Sequence, residues 1–272
     1  MTETSCPNCG AVRAGRFCAV CGQSQKTYLR ASWAIFADIM REAFEVDSRL
    51  LRTVVALLFK PGYLSCEFSN DRRASYVSPG RLYIAISVVF FFVLAIIPDN
   101  EFITVDLETA AQMQAEPEHD ELEVEARARE FLADPQEAYQ RLVANLPIAM
   151  FLMLPLYAAW LKCLYLRRFY AEHLVFALHL HAFLFALGTV ILLLPDEATE
   201  GQGVITDMLT GVGVFLNGTL KLLGAVYYLF ALHTMYGQGW PGTVVKFIAA
   251  NVGHAVILTT GTVIAVLAAI LV

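Results

Sequence analysis

Charge is scarce in this chain. Asp, Glu, Lys and Arg make up 16% of its 272 residues, where an ordinary soluble domain carries about 25%. Catalytic signatures are missing too: there is no H-E-x-x-H zinc motif, no histidine-rich box of the membrane di-iron kind, no phosphate-binding loop and no G-x-S-x-G elbow. The first absence excludes a cytosolic enzyme with a polar shell, and the second leaves no reaction to read from a motif. What the chain has instead is apolar residues, 57% of the total with a mean hydropathy of +0.57. They gather in runs long enough to cross a bilayer, which predicts an all-α polytopic membrane protein. The formal net charge of −6 sums a basic N-terminal part and an acidic middle, so it says little about partners.

Four of the six cysteines fall in one short stretch, Cys6-Pro-Asn-Cys9-Gly10 and Phe17-Cys18-Ala-Val-Cys21-Gly22. Four thiolates from two tight turns can close a tetrahedral shell around zinc, and the glycine after each pair tolerates the left-handed turn required. Residues 1–28 are too few to bury a core, so a structural zinc would supply the folding energy of such a ribbon. A disulfide pair is the rival reading; it needs an exported segment, and the first run long enough to span begins near Leu82, after the cysteines. A closed shell leaves no open position for catalysis. Cys66 and Cys163 have no partner pattern and read as reduced thiols. The cations Arg13, Arg16, Lys26 and Arg30 are too scattered to indicate nucleic acid, and none is expected as a partner.

Residues 29–81 read as cytoplasmic interfacial helices. Over 31–46, Trp33, Phe36, Met40 and Phe44 share one stripe, with Asp38, Arg41, Glu42 and Glu45 on the opposite arc. A second segment, Leu50 to Phe59, is expected to start from an Asp47 cap and stop at Lys60-Pro61-Gly62. It is too short to cross a bilayer core of about 30 Å and should lie along the inner surface.

The membrane domain, 82–272, is expected to hold five transmembrane helices at roughly 82–97, 147–166, 173–194, 208–232 and 244–272. None of these runs contains Asp or Glu. Of the 19 Lys and Arg, 11 precede residue 82, while Lys162, Arg167, Arg168 and Lys246 lie at ends on the same side. The positive-inside rule then places the N-terminus in the cytoplasm and Val272 outside, in a bacterial inner membrane. The loop 98–145 is external and carries 13 Asp and Glu. Within it Asp134-Pro135-Gln136-Glu137 predicts a helix start leading into the second span. Ala249, Gly253, Gly261, Ala265 and Ala269 mark a small-residue stripe on the fifth span, and Gly211, Gly213, Gly218 and Gly224 thin the fourth. They predict close packing of spans four and five, within one chain or in a homo-oligomer.

Three blocks together make the chain similar to an uncharacterised bacterial inner-membrane family, the domain of unknown function 3667. They are the ribbon ending in Cys21-Gly22-Gln23; the block Thr53, Lys60-Pro61-Gly62, Arg72-Arg73, Tyr76, Pro79 and Arg81-Leu82-Tyr83; and the run from Glu172-His173 through His179, His181 and Phe183. Tyr228, His233 and Tyr236-Gly237-Gln238 extend the likeness. The resemblance implies an inner-membrane protein and carries no assigned reaction. Arg72, Arg73, Arg81, Glu172 and His173 are candidate interface residues.

Polar groups inside spans are costly and need a reason. His179, His181, Asn217, Lys221, Asn251 and His254 come from three runs yet fall toward the inner half or middle of the bilayer. They form a candidate polar site: either a cytoplasm-facing cavity for a small anion or anionic lipid, or a set of interhelical hydrogen bonds. His179 and His181 are about 200° apart on a helix, so both cannot face one metal ion unaided. Three functions follow. The leading one is a membrane-anchored adaptor or assembly factor, held in the lipid bilayer and presenting its ribbon to a cytoplasmic protein partner. The alternatives are a transporter or lipid-handling protein, and a histidine-based membrane enzyme.

Overall fold

The computed structural model describes residues 4–13, 15–23, 49–97, 135–195 and 204–271. The amphipathic helix expected at 31–46, the Asp47 cap and loop residues 98–134 lie outside them. At the N-terminus β1 (Thr4–Ser5) and β2 (Val12–Arg13) pair antiparallel, Thr4 opposite Arg13 and Ser5 opposite Val12. Seven helices follow among the described residues: α1 (Leu50–Phe59), α2 (Tyr63–Ser69), α3 (Pro79–Ile96), α4 (Pro135–Leu164), α5 (Tyr170–Leu192), α6 (Val204–Tyr236) and α7 (Trp240–Leu271).

Five of them, α3 to α7, are long and apolar enough to cross a membrane, the architecture of a membrane protein. Local chemistry sets their ends. Pro79 opens α3, where a missing N–H costs nothing, and Pro98 in the sequence holds Ile97 extended after the last turn. Gly237, at φ +61, closes α6 with its N–H on the His233 carbonyl at 2.9 Å. Between α1 and α2 the chain turns through Gly62 at φ +73, where a Cβ would also meet the Ala231 carbonyl at 2.5 Å. Glycine is required there twice over. The helix α2 has no counterpart in the sequence-based expectation. The start of α1 also differs from it: Arg49 precedes the first turn without a side-chain cap and instead donates from Nη1 to the Ala74 carbonyl at 2.8 Å.

The centre of the bundle is α5. Two thirds of its span, 67%, is buried, against 17–44% for the other four. It packs on α3, α4 and α6, while α1 and α2 lie across it at the end where α3, α5 and α7 begin and α4 and α6 finish. Phe185 stacks on Phe90 at 4.8 Å between ring centroids, and Gly188 keeps the space under that ring open.

The small-residue stripes pack differently from expectation. The main partner of α7 is α4, not α6. A Cβ at Gly253 would fall on the Trp160 indole, and one at Gly261 on the Met153 side chain, both from α4. On α6, Gly224 and Gly213 face Leu187 and Pro195, from α5 and the residues just after it, whereas Gly211 and Gly218 look into open space. Spacing identifies the thin face of a helix but not which neighbour will use it.

Candidate functional site

The four cysteines converge. The Gly10 N–H closes on the Cys6 carbonyl and the Gly22 N–H on the Cys18 carbonyl, each at 2.8 Å, with both glycines at positive φ. These turns bring the four sulfurs within 4.8 Å of one another, Cys6 to Cys21 at 3.7 Å and Cys9 to Cys18 at 3.5 Å. Zinc–sulfur bonds of about 2.3 Å give a tetrahedron with edges of about 3.8 Å, whereas a disulfide needs about 2.05 Å. The spacing fits a metal ion and not a bridge. Backbone amides of Cys21 and Val20 point at the Cys18 sulfur and hold its thiol down to about 6. At Cys9 the Ala11 amide pulls downward, but desolvation and the sulfurs of Cys18, Cys21 and Cys6 push harder, to about 12. The Cys9 thiol therefore stays protonated until a cation joins the cluster.

Gln23 follows the second turn immediately and is only 4% exposed. Its backbone carbonyl receives the Cys18 N–H at 2.9 Å. Its side chain bridges to the loop before α3, Nε2 donating to the Asp71 carbonyl and Oε1 accepting from the Ala74 N–H. That loop is itself braced. Arg72 donates from Nε and Nη2 to Glu67 of α2, Arg73 pairs with Asp71 at 2.6 Å, and Asp71 sits at φ +58. One residue thus ties the second cysteine turn to the loop before the first long apolar helix.

Inside the bundle the polar groups pair across helices. His181 Nδ1 lies 2.8 Å from the Ala177 carbonyl, which can only accept, so Nδ1 carries the proton. His181 Nε2 is then the acceptor from His254 Nε2 on α7 at 3.1 Å. Tyr157 of α4 packs against both rings, its hydroxyl bonded to that of Tyr228 on α6. His179, nearly opposite on α5, bonds through Nδ1 to Ser65 Oγ of α2 at 3.0 Å and meets Phe68 edge-on. The angular reading of the sequence anticipated this divergence. Near the start of α5, His173 Nδ1 bonds to the Tyr236 hydroxyl at 2.7 Å, and Glu172 takes the Arg168 guanidinium at 3.0 Å and the Phe169 N–H. Tyr165 stacks on Tyr236 at 3.6 Å, and the Lys246 ammonium lies over the Tyr165 ring at 4.1 Å from its centroid. Burial pushes the Cys66 thiol of α2 up, so it is protonated and donates to the Thr234 carbonyl.

Of the six intramembrane candidates, His181 and His254 are brought together. His179 turns to α2, and Asn251 Nδ2 bonds its own helix at the Phe247 carbonyl. Asn217 is buried, while Lys221, one turn on, is exposed on the surface of α6. Arg72, Arg73, Glu172 and His173 all make contacts within the chain. Ser65, Tyr157 and Gln23 had no role in the residue-by-residue reading. Gln23 stood only inside the family resemblance, and nothing in local spacing marks a serine or tyrosine as a partner for a distant histidine.

A family model described as a protein of unknown function (DUF3667) matches residues 47–91. The matched block contains α1, α2, the loop on which Gln23 lands and most of α3. No curated protein and no solved structure matches the chain.

Proposed function

We propose that the protein is an inner-membrane adaptor or assembly factor whose ribbon holds a structural zinc and displays a contact surface to a cytoplasmic protein. The observation that carries this reading is the Gln23 bridge. It couples a small metal-type module to the membrane bundle, and that module leaves Val12, Phe17 and Val20 exposed at 64%, 65% and 74%. Apolar side chains held outward on a rigid mount are what a protein contact uses. The pairing of buried histidines within the bundle supports a scaffold in the membrane rather than a transport cavity.

Affinity purification in mild detergent tests the reading. A protein should co-purify reproducibly with the full chain and be lost from a variant carrying Val12→Ser, Phe17→Ser and Val20→Ser. Recovery of a bound small anion with no protein would instead indicate transport. The cytoplasmic placement rests on Lys60, Arg72, Arg73, Arg81, Arg167, Arg168 and Lys246 gathering near one end of the bundle. Reporter fusions after Arg168 are expected to read cytoplasmic and fusions after Val272 external. An external signal at Arg168 would reverse the orientation.

A further inference from the structure

We propose that α1 is a lipid-docking helix: its outward face binds the leaflet at the cationic end of the bundle, and Arg52 and Lys60 select anionic phospholipid there. The inference concerns a different surface from the ribbon and does not depend on the adaptor reading.

The helix α1 has two apolar faces, and among the described residues only one is covered by protein. Thr53, Ala56 and Leu57 are buried, while Leu51, Val55 and Phe59 are exposed at 75%, 48% and 76%. The exposed three lie at i, i+4 and i+8, a single stripe about 12 Å long. Its direction is fixed from behind. Thr53 Oγ1 accepts the Val77 N–H at 3.0 Å, the Tyr227 hydroxyl donates to the Leu57 carbonyl, and Arg49 holds Ala74. The helix cannot roll to hide the stripe without breaking these bonds.

Depth says what covers it. Val77 stands two residues before Pro79, where α3 begins its span, and Tyr227 belongs to the span of α6. These bonds put α1 beside the start of α3 and the last third of α6, toward the level where acyl chains meet headgroups. The exposed apolar surface of α3, including Val88, Val89 and Phe92, belongs to the same bundle. Exposed cations stand beside the stripe, Arg52 in the first turn and Lys60 just past the last, with the Lys60 ammonium 5.0 Å from the Tyr63 ring centroid. No Asp or Glu lies within α1. Apolar side chains directed into the leaflet and long cations reaching back to its headgroups are the physical pattern of an anionic bilayer surface.

The test uses the full chain in nanodiscs of phosphatidylcholine, alone or mixed equally with phosphatidylglycerol. Phe59→p-benzoylphenylalanine is irradiated and the adducts are weighed by mass spectrometry. The expected product is a phospholipid adduct, enriched in phosphatidylglycerol above its share of the mixture. Adding Arg52→Gln and Lys60→Gln should lower the phosphatidylglycerol-to-phosphatidylcholine adduct ratio several-fold while a lipid adduct persists. An adduct to a second copy or to another protein, or no lipid adduct, would overturn the docking assignment. Enrichment unchanged by the double substitution would overturn the role of the two cations.

Discussion

Gly253→Leu is expected to destabilise the bundle by about 3 kcal/mol, the upper part of the range for overpacking a close-packed interior. The reason is local and rigid. A Cβ at Gly253 already overlaps the Trp160 ring, and that ring is pinned because its Nε1–H donates to the Ala249 carbonyl at 3.0 Å, one turn earlier on the same helix. Nothing there can yield without separating α4 from α7, the principal contact of the last helix. Gly261→Ala makes the contrast, since the obstructing atoms belong to the flexible end of Met153, which can swing aside. Thermal unfolding in detergent or nanodiscs should therefore show a large loss for Gly253→Leu and a small one for Gly261→Ala. Combining Gly253→Leu with Trp160→Ala should recover part of the loss. Equal behaviour of the two glycine sites would show that the α4–α7 contact has been misassigned.

Metal content should respond even more sharply to the cysteines. Structural zinc contributes about 10–16 kcal/mol in isolated zinc-finger peptides at neutral pH, more than a module this small can replace. Purified protein is expected to carry about one zinc per chain. Cys9→Ser with Cys21→Ser should remove it, since two ligands are lost at once. Amide exchange should then rise over the ribbon, and also over residues 71–74, because Gln23 leaves its landing site when the turn that positions it opens. The spanning helices should keep their protection. The pH response has a definite sign. The Cys18 thiol, held down to about 6, favours the folded metal-free turn at high pH, and that contribution is lost as pH falls through 6. Protons and metal compete for the same sulfurs, so zinc should be released on acidification. Metal content indifferent to the substitution would remove the ribbon from the account altogether.

Much of the architecture was legible because the length and apolarity of the runs set it. A run of apolar residues has one use when it is long enough, and the expected 173–194 and 82–97 become Tyr170–Leu192 and Pro79–Ile96. The cysteine cluster was equally readable, since its four ligands lie within sixteen residues and their geometry follows from two local turns. What stayed hidden was long-range pairing. The two-residue spacing of His179 and His181 implied opposite directions, but Ser65 and His254, the residues that meet them, lie more than a hundred positions before and more than seventy after. The partner of Gly253 was misjudged for the same reason. Helical periodicity orients a side chain, and only the packed bundle decides what stands opposite. The helix α2 escaped because seven residues carry too little pattern to separate from a turn.

The order of synthesis matters for α5. His173 awaits Tyr236 at the end of α6, and His181 awaits His254 in α7, so two of its three imidazoles have partners that do not yet exist when α5 leaves the ribosome. Already available are the Ser65 contact of His179 and the bond from His181 Nδ1 to the Ala177 carbonyl of α5 itself. A helix with that many unsatisfied nitrogens is a poor guest in bare lipid. In a membrane, α5 is therefore expected to need shelter until the last hydrophobic segment has been made. A chain truncated before α7 would be inserted by hydropathy yet unfinished by chemistry, and membrane quality-control proteases would be presented with its central helix.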